Sequence, residues 1–241
     1  MRKILLLLVV ASFIINSKSV AQPPDKRFAG LDTAFARVLK DWKAAGFAVA
    51  VIEKNKIVYS KGFGYRDMEK KLPVTPATLF AIGSCTKAFT SSLLGLLEKE
   101  GKLELEKPVR NYLPELKFYN DVMNDQITVK DLMCHRTGLP RHDLSWYFFT
   151  TTRDSLIQRI RYQEPTAGIR EVYQYNNFMF LAQGVLAEKL YNRKWEQLIK
   201  EKFFDSLGMM SSNFSVKDME RSNDAAIGYY VKKDSIIDKL D

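Results

Sequence analysis

The apolar positions change rhythm several times along the chain, and each rhythm predicts an element. From Arg27 to Lys43, the residues Phe28, Leu31, Phe35, Val38, Leu39 and Trp42 recur at helical spacing and predict an amphipathic helix. Phe47 to Ile52 is a continuous apolar run, as expected of a strand covered on both faces inside a wider sheet. Lys54-Asn55 then reads as a turn and Ile57 to Tyr65 as a second strand, in which Gly62 and Gly64 suggest a bend or a close backbone approach. "RDMEKKLPVTPATLF" reads as an irregular connection. From Ser84 to Glu100 the apolar positions Phe89, Leu93, Leu96 and Leu97 return to helical spacing. The other faces of that helix hold Ala88, Ser91, Ser92 and Gly95, small rather than charged, so it is expected to be buried nearly all round, with Gly101 as its stop. "EKPVRNYLPELKF" is a turn-rich crossing. Thr128 opens a short helix that Gly138 and Pro140 close, with His135 near its end, where it can bond the last carbonyls. Helices are expected over Phe178 to Leu190 and Trp195 to Phe204, and "AIGYYVKKDSIIDKLD" looks like a further strand beginning. Two clear strands against about six helical stretches is too little sheet to stand alone in water. The expectation is an incomplete version of something longer.

One residue breaks the pattern of the central helix. Lys87 lies on its first turn, where the helix dipole favours acidic side chains and a capping box would place Glu or Gln. Burial would strip its hydration as well. Ser84 is three residues earlier, on the same face. A lysine pressed towards its neutral amine beside a serine hydroxyl can take the hydroxyl proton, and the alkoxide then attacks an acyl carbon. Backbone N–H groups at the helix start can receive the developing oxyanion. On spacing alone Ser84 is equally well a plain N-cap.

Composition adds a compartment and removes some functions. The first residues, "MRKILLLLVVASFIINSKSVAQ", run from Arg2 and Lys3 through an apolar core to Ser19-Val20-Ala21, a secretory signal peptide over residues 1–21 with cleavage before Gln22. An exported, periplasmic or extracellular protein is expected, with no stable membrane span after cleavage; an uncleaved anchor is the alternative. The remaining residues, 22–241, are read as one incomplete domain. The net charge of +9 includes the leader's Arg2, Lys3 and Lys18, so the rest carries about +6 in a scattered, mixed pattern. No nucleic-acid motif is present. Two cysteines and two histidines without ligand spacing give no metal site, and no cofactor motif stands out. Cys85 and Cys134 can pair in an exported protein; Cys85 is otherwise expected as a small buried thiol. A catalytic Cys85 with His135 would leave Lys87 without a role.

Tyr175-Asn176-Asn177 is the only Y-x-N in the chain and stands just before a helix. Either asparagine can be an N-cap with the tyrosines in the core. Near a serine–lysine pair, a phenol can also shuttle a proton, and an amide can hold a lysine and a substrate carbonyl together.

Several long stretches carry a resemblance: "GFGYRDMEKKLPVTPATLFAIGSCTKAFTSSLLGLLEKEGKLELEKPVRNYLPEL", "ITVKDLMCHRTGLP", "YQYNNFMFLAQGVLAEKL" and "FFDSLGMMSSNF". From about Phe28 to Lys232 the chain resembles the serine β-lactamase and penicillin-binding-protein-like hydrolases, in the branch of class C β-lactamases, D-aminopeptidases and related esterases. The fold class implied is α+β, β-lactamase/transpeptidase-like: a helical lobe beside an antiparallel sheet flanked by helices, the site in the cleft between them, and here the C-terminal strands of the sheet missing. The resemblance implies Ser84 as acylated nucleophile, its own N–H as half of the oxyanion hole, Lys87 as base and organiser, Tyr175 as proton relay and Asn177 as the group that orients substrate amide and Lys87. The implied partners are small-molecule or peptide substrates with an acyl group, peptidoglycan among them.

The family's third motif, K-T-G or H-x-G after Y-x-N, has no match. Arg136-Thr137-Gly138 precedes Y-x-N and belongs to the helix-ending pattern. Three readings therefore stay open: a serine acyl hydrolase acting on an amide, ester or β-lactam; a non-catalytic binder of envelope peptides or glycans; and an inactive fragment. General hydrolase ranks above dedicated β-lactamase.

Overall fold

The computed structural model describes residues 25–147, 150–232 and 236–239; the expected leader lies outside them. The chain divides into two compact units, one made of the described residues up to Thr78 and from Ala226 onward, the other of Leu79–Ala225.

The first unit is built on sheets. Helix α1 (Leu31–Asp41) precedes strands β1 (Gly46–Glu53), β2 (Lys56–Asp67) and β3 (Leu72–Pro73), which pair antiparallel in the order β1-β2-β3. Lys54 and Asn55 both take positive φ, 48° and 62°, the geometry a two-residue hairpin turn needs. A Cβ on Gly62 would lie 2.2 Å from the Val74 carbonyl oxygen, so the close approach expected there is what brings β3 against β2. Phe35 of α1 meets Phe63 and Phe47, with ring centroids 5.2 and 6.0 Å apart. One expectation fails. β1 is not covered on both faces: Ala48, Ala50 and Ile52 are exposed, while Phe47, Val49 and Val51 turn to the half-buried side. α1 is amphipathic as expected, with Leu31, Phe35 and Leu39 half-buried on one side, although it is shorter than the predicted stretch and Trp42 just after it is 80% exposed. The short β3 was read as irregular because a proline ends it. At the other end of the chain the strand suspected from "AIGYYVKK" is real: β4 (Tyr229–Lys232) pairs antiparallel with β5 (Ile236–Lys239).

The second unit is helical. Its elements are α2 (Thr86–Lys99), α3 (Asp121–Gln126), α4 (Val129–Met133), α5 (Arg153–Arg159), α6 (Asn177–Tyr191), α7 (Trp195–Ile199) and α8 (Val216–Glu220). A continuous core joins Leu93, Leu94 and Leu97 of α2, Leu132 of α4, Met179, Ala182 and Leu186 of α6 and Leu198 of α7. Each leucine buried there contributes about 1.5–3 kcal/mol. α2 departs from expectation at its start and around its girth. A single 3-10 turn, Gly83–Cys85, precedes it, and Ala88, Ser92 and Gly95 are exposed rather than buried. α7 runs into a π-helical turn, Lys200–Asp205, which completes the expected Trp195–Phe204 stretch with wider winding.

α4 opens as anticipated at Thr128, whose hydroxyl accepts from the Asp131 N–H while Asp131 accepts from the Thr128 N–H. It ends at Met133, before Gly138. The intervening Arg136-Thr137-Gly138 is structural: the Arg136 carbonyl accepts from the Arg170 N–H (2.8 Å) and the Gly138 carbonyl from the Thr166 N–H (3.0 Å). Gly138 has φ +83°, and a Cβ there would meet the Ala167 carbonyl oxygen at 2.3 Å. Buried Asp131 also receives both Nε (2.9 Å) and a terminal nitrogen (2.7 Å) of Arg170, tying α4 to the segment before α6. Cys85 and Cys134 are both exposed and unpaired, so Cys85 is not the small buried thiol expected. Among the described residues, no helix is long and apolar enough to cross a membrane.

Candidate active site

All four residues singled out from the sequence meet within the helical unit. Ser84 sits on the 3-10 turn at the entry to α2 and Lys87 on the first turn of the helix itself. Ser84 is not the N-cap; Cys85 holds that position and makes no side-chain capping bond. α6 runs beside α2 with its N-terminus at the same end, because Lys87 meets Asn177 there and Ser91 meets Gln183 farther along.

Tyr175 and Asn177 owe their placement to the residue between them. Asn176 is fully buried and is the N-cap of α6, its Oδ1 accepting from the Phe178 N–H at 2.8 Å. Its Nδ2 donates to the Pro140 carbonyl (2.6 Å) and to Gln163 Oε1 (3.1 Å), and its backbone N–H donates to His135 Nδ1 (3.1 Å). With the middle residue fixed on every side, its two neighbours are aimed at Ser84.

The resulting contacts are short. Lys87 Nζ donates to Asn177 Oδ1 at 2.7 Å and to Ser84 Oγ at 3.1 Å. Ser84 Oγ and the Tyr175 hydroxyl are 2.7 Å apart. Lys87 Nζ also stands over the rings of Tyr175 and Phe180, 4.8 and 5.3 Å from their centroids. The niche is less closed than the sequence implied, since Lys87 is half-buried and Ser84 exposed. Burial alone would raise the Tyr175 phenol. Lys87 and the Ser84 hydroxyl, together with the charges of Lys87 and Arg141, outweigh it and hold the phenol below its ordinary value.

Three further residues complete the arrangement, and none was singled out for this role from the sequence. Asp143 Oδ1 accepts from Asn177 Nδ2 (3.0 Å) and from the Trp146 indole (3.2 Å), while Arg141 pairs with its other oxygen. Burial pushes the Asp143 carboxyl up, but the bonds from Arg141, Asn177 and Trp146 prevail and keep it below the usual range. The Arg141 guanidinium lies 5.1 Å from the Tyr175 ring centroid. His135 does not cap α4 with its side chain. It takes a left-handed conformation, φ 55°, and its ring packs against Tyr173, Tyr175 and Phe180, with the Tyr175 centroid at 4.5 Å. Burial first, and the charge of Lys87 second, depress its basicity. A neutral ring is also what its geometry needs, because Nδ1 accepts a hydrogen bond. The one local signal, for Arg141 and Asp143 alone, is the pair of opposite charges directly after the Gly138–Pro140 stop.

The chain is similar to known proteins in sequence and in fold. The family model described as Beta-lactamase matches residues 31–237. Unguisins hydrolase ungD' of Aspergillus campestris (strain IBT 28561) is 33% identical over 214 residues, which are 83% of this chain and 40% of that protein. The octameric penicillin-binding protein homologue from Pyrococcus abyssi superposes with a TM-score of 0.74 at 27% identity, covering 88% of this chain and 50% of its own. A class C beta-lactamase matches in fold, with a TM-score of 0.74 at 24% identity over 90% of this chain and 58% of that one. The chain thus spans 36–40% of the length of the first curated relatives it matches, and its fold is β-lactamase/transpeptidase-like.

Proposed function

We propose that this chain, which belongs to the beta-lactamase family, is a serine hydrolase working through an acyl-enzyme on Ser84. The observation that carries the proposal is the convergence of Lys87 and Tyr175 on Ser84 Oγ, at 3.1 and 2.7 Å. In acylation the Ser84 proton passes to this pair as Oγ bonds to the substrate's acyl carbon. The tetrahedral intermediate collapses when the leaving amine or alcohol takes the proton from Tyr175 and departs. In deacylation the pair takes a proton from water, whose oxygen attacks the ester, and returns one to Ser84 Oγ. The depressed phenol of Tyr175 suits this two-way traffic, being closer to neutrality than a free tyrosine. Asn177, fixed between Lys87 and Asp143, orients Lys87 and the substrate amide. The Ser84 N–H is assigned to the oxyanion.

The substrate class is an amide, ester or β-lactam, with peptidoglycan-type peptides among the candidates. The leader over residues 1–21 supports work outside the cytoplasm, in the periplasm or beyond. In a second reading the same residues bind acyl ligands of the envelope without turning them over.

Incubation with p-nitrophenyl acetate, followed by peptide mass spectrometry, decides between the two. The expected result is a stoichiometric acetyl ester on Ser84, absent from Lys87→Ala. A chain folded by circular dichroism that acquires no ester overturns the hydrolase and supports the binder.

A further inference from the structure

The contacts around Ser84 do not use all the space next to it. A cleft of about 270 Å³ opens beside Ser84 and Lys87 and continues between α2 and α6 to Trp195. Ser84 on the 3-10 turn and Lys87 and Thr90 on α2 follow one another at three-residue steps, and Asn177, Phe180 or Leu181, and Gly184 or Val185 keep pace along α6. Six residues of helix advance about 9 Å, so the groove reaches roughly two turns from the nucleophile.

We propose that this groove between α2 and α6 is a subsite for a bulky apolar group, of aromatic-ring size, carried on the acyl portion of the substrate. The inference rests on the reading of Ser84 as nucleophile. Its walls are Phe180, Leu181, Val185 and Trp195, apolar side chains that are all half-buried and so present surface to an occupant. The polar groups beyond Lys87 are engaged with one another or with neighbouring carboxylates. The Trp195 indole N–H donates to Thr90 Oγ1 at 3.2 Å, and Arg153 is held between Glu188 (2.8 Å) and Glu196. A polar ligand group entering there would lose water and have to compete with these bonds, whereas an apolar one gains about 25 cal/mol per Å² buried. Size points the same way. Sites that enclose a whole drug-sized ligand span about 300–1,000 Å³, so a cleft of about 270 Å³ suits one large side chain.

Gly184 makes the groove passable. It interrupts α6, where alanine would stabilise the helix by roughly 0.5–1 kcal/mol. No backbone contact demands it: a Cβ there would sit 3.5 Å from Trp195 Cδ1, an ordinary van der Waals distance. A side chain at this position points at Trp195, across the groove.

The test compares p-nitrophenyl phenylacetate with p-nitrophenyl acetate in the wild-type chain and in Gly184→Leu, with circular dichroism to confirm folding. The ratio of kcat/KM, phenylacetate over acetate, should exceed unity in the wild type and fall about tenfold or more in Gly184→Leu. An unchanged ratio overturns the subsite. If neither ester acylates Ser84, the reading of function fails by itself, and the groove is read separately by binding. Titration with 3-phenylpropionamide should then perturb tryptophan fluorescence in the wild type and not in Gly184→Leu. Identical titration curves overturn the proposal independently of catalysis.

Discussion

The helical unit and the sheet unit answer the same composition in opposite ways. In Leu79–Ala225 the apolar side chains close on one another, and Leu93, Leu94 and Leu97 have no exposed surface at all. In the sheet unit, of the described apolar residues, Phe63 and Val74 alone reach the buried class, while Ile52 and Ile57 stand 65% and 70% exposed. The whole constellation around Ser84 belongs to the closed unit. Chemistry that depends on hydrogen bonds near 2.7 Å needs a rigid support, and the continuous core beneath α2 and α6 provides it.

The sharpest way to separate site from scaffold is Ser84→Ala. It should abolish acylation, lowering any turnover by at least about 10⁴-fold. Its urea midpoint should stay where it was, since the side chain is exposed; a large drop in midpoint would mean that the site and the core are not separable. Next in size is Leu97→Ala, expected to cost about 2–5 kcal/mol in urea unfolding because a fully buried side chain leaves a cavity. His135→Ala comes third. Removing the acceptor of the Asn176 N–H should cost about 1–3 kcal/mol. It should also loosen Tyr175, lowering kcat more than it changes KM.

The same histidine gives a pH dependence. Its folded pKa is depressed, so its contribution to stability is complete above the free value of 6.5 and is lost as pH falls through the depressed one. Urea midpoints measured from pH 7 down to pH 4 should fall, and His135→Gln should flatten that part of the profile. The smallest effect belongs to the open unit: Ile52→Thr should stay within about 0.5 kcal/mol of wild type. A cost of several times that would show the β1 face to be covered in solution, and the contrast between the units would disappear.

Ser84 and Lys87 were legible because they lie three residues apart, where side-chain adjacency follows from local geometry; Tyr175 and Asn177 were singled out as a short Y-x-N before a helix, and their meeting with Ser84 came from the family resemblance. Asp143 and His135 were not legible. They reach Asn177 and Asn176 across 34 and 41 residues, and nothing in their own surroundings announces the partner. His135 was placed by the usual role of a histidine after a helix, but its left-handed backbone turns the ring inward instead. The helix α2 was readable from period alone. Its burial was overestimated, because small residues at Ala88, Ser92 and Gly95 look the same in sequence whether they face a partner or open water. β1 misled for a related reason: an unbroken apolar run shows that a strand could be covered twice, and here one side is bare.

Asn177 is an adaptor that works in one direction only. Its carbonyl oxygen faces a cation and its amide nitrogen faces the Asp143 carboxylate. Aspartate at this position would keep the first contact and turn the second into a repulsion between anions. The variant Asn177→Asp is therefore expected to lose its reactive centre while the core remains folded, seen as lost acylation of Ser84 by p-nitrophenyl acetate with an unchanged circular dichroism spectrum.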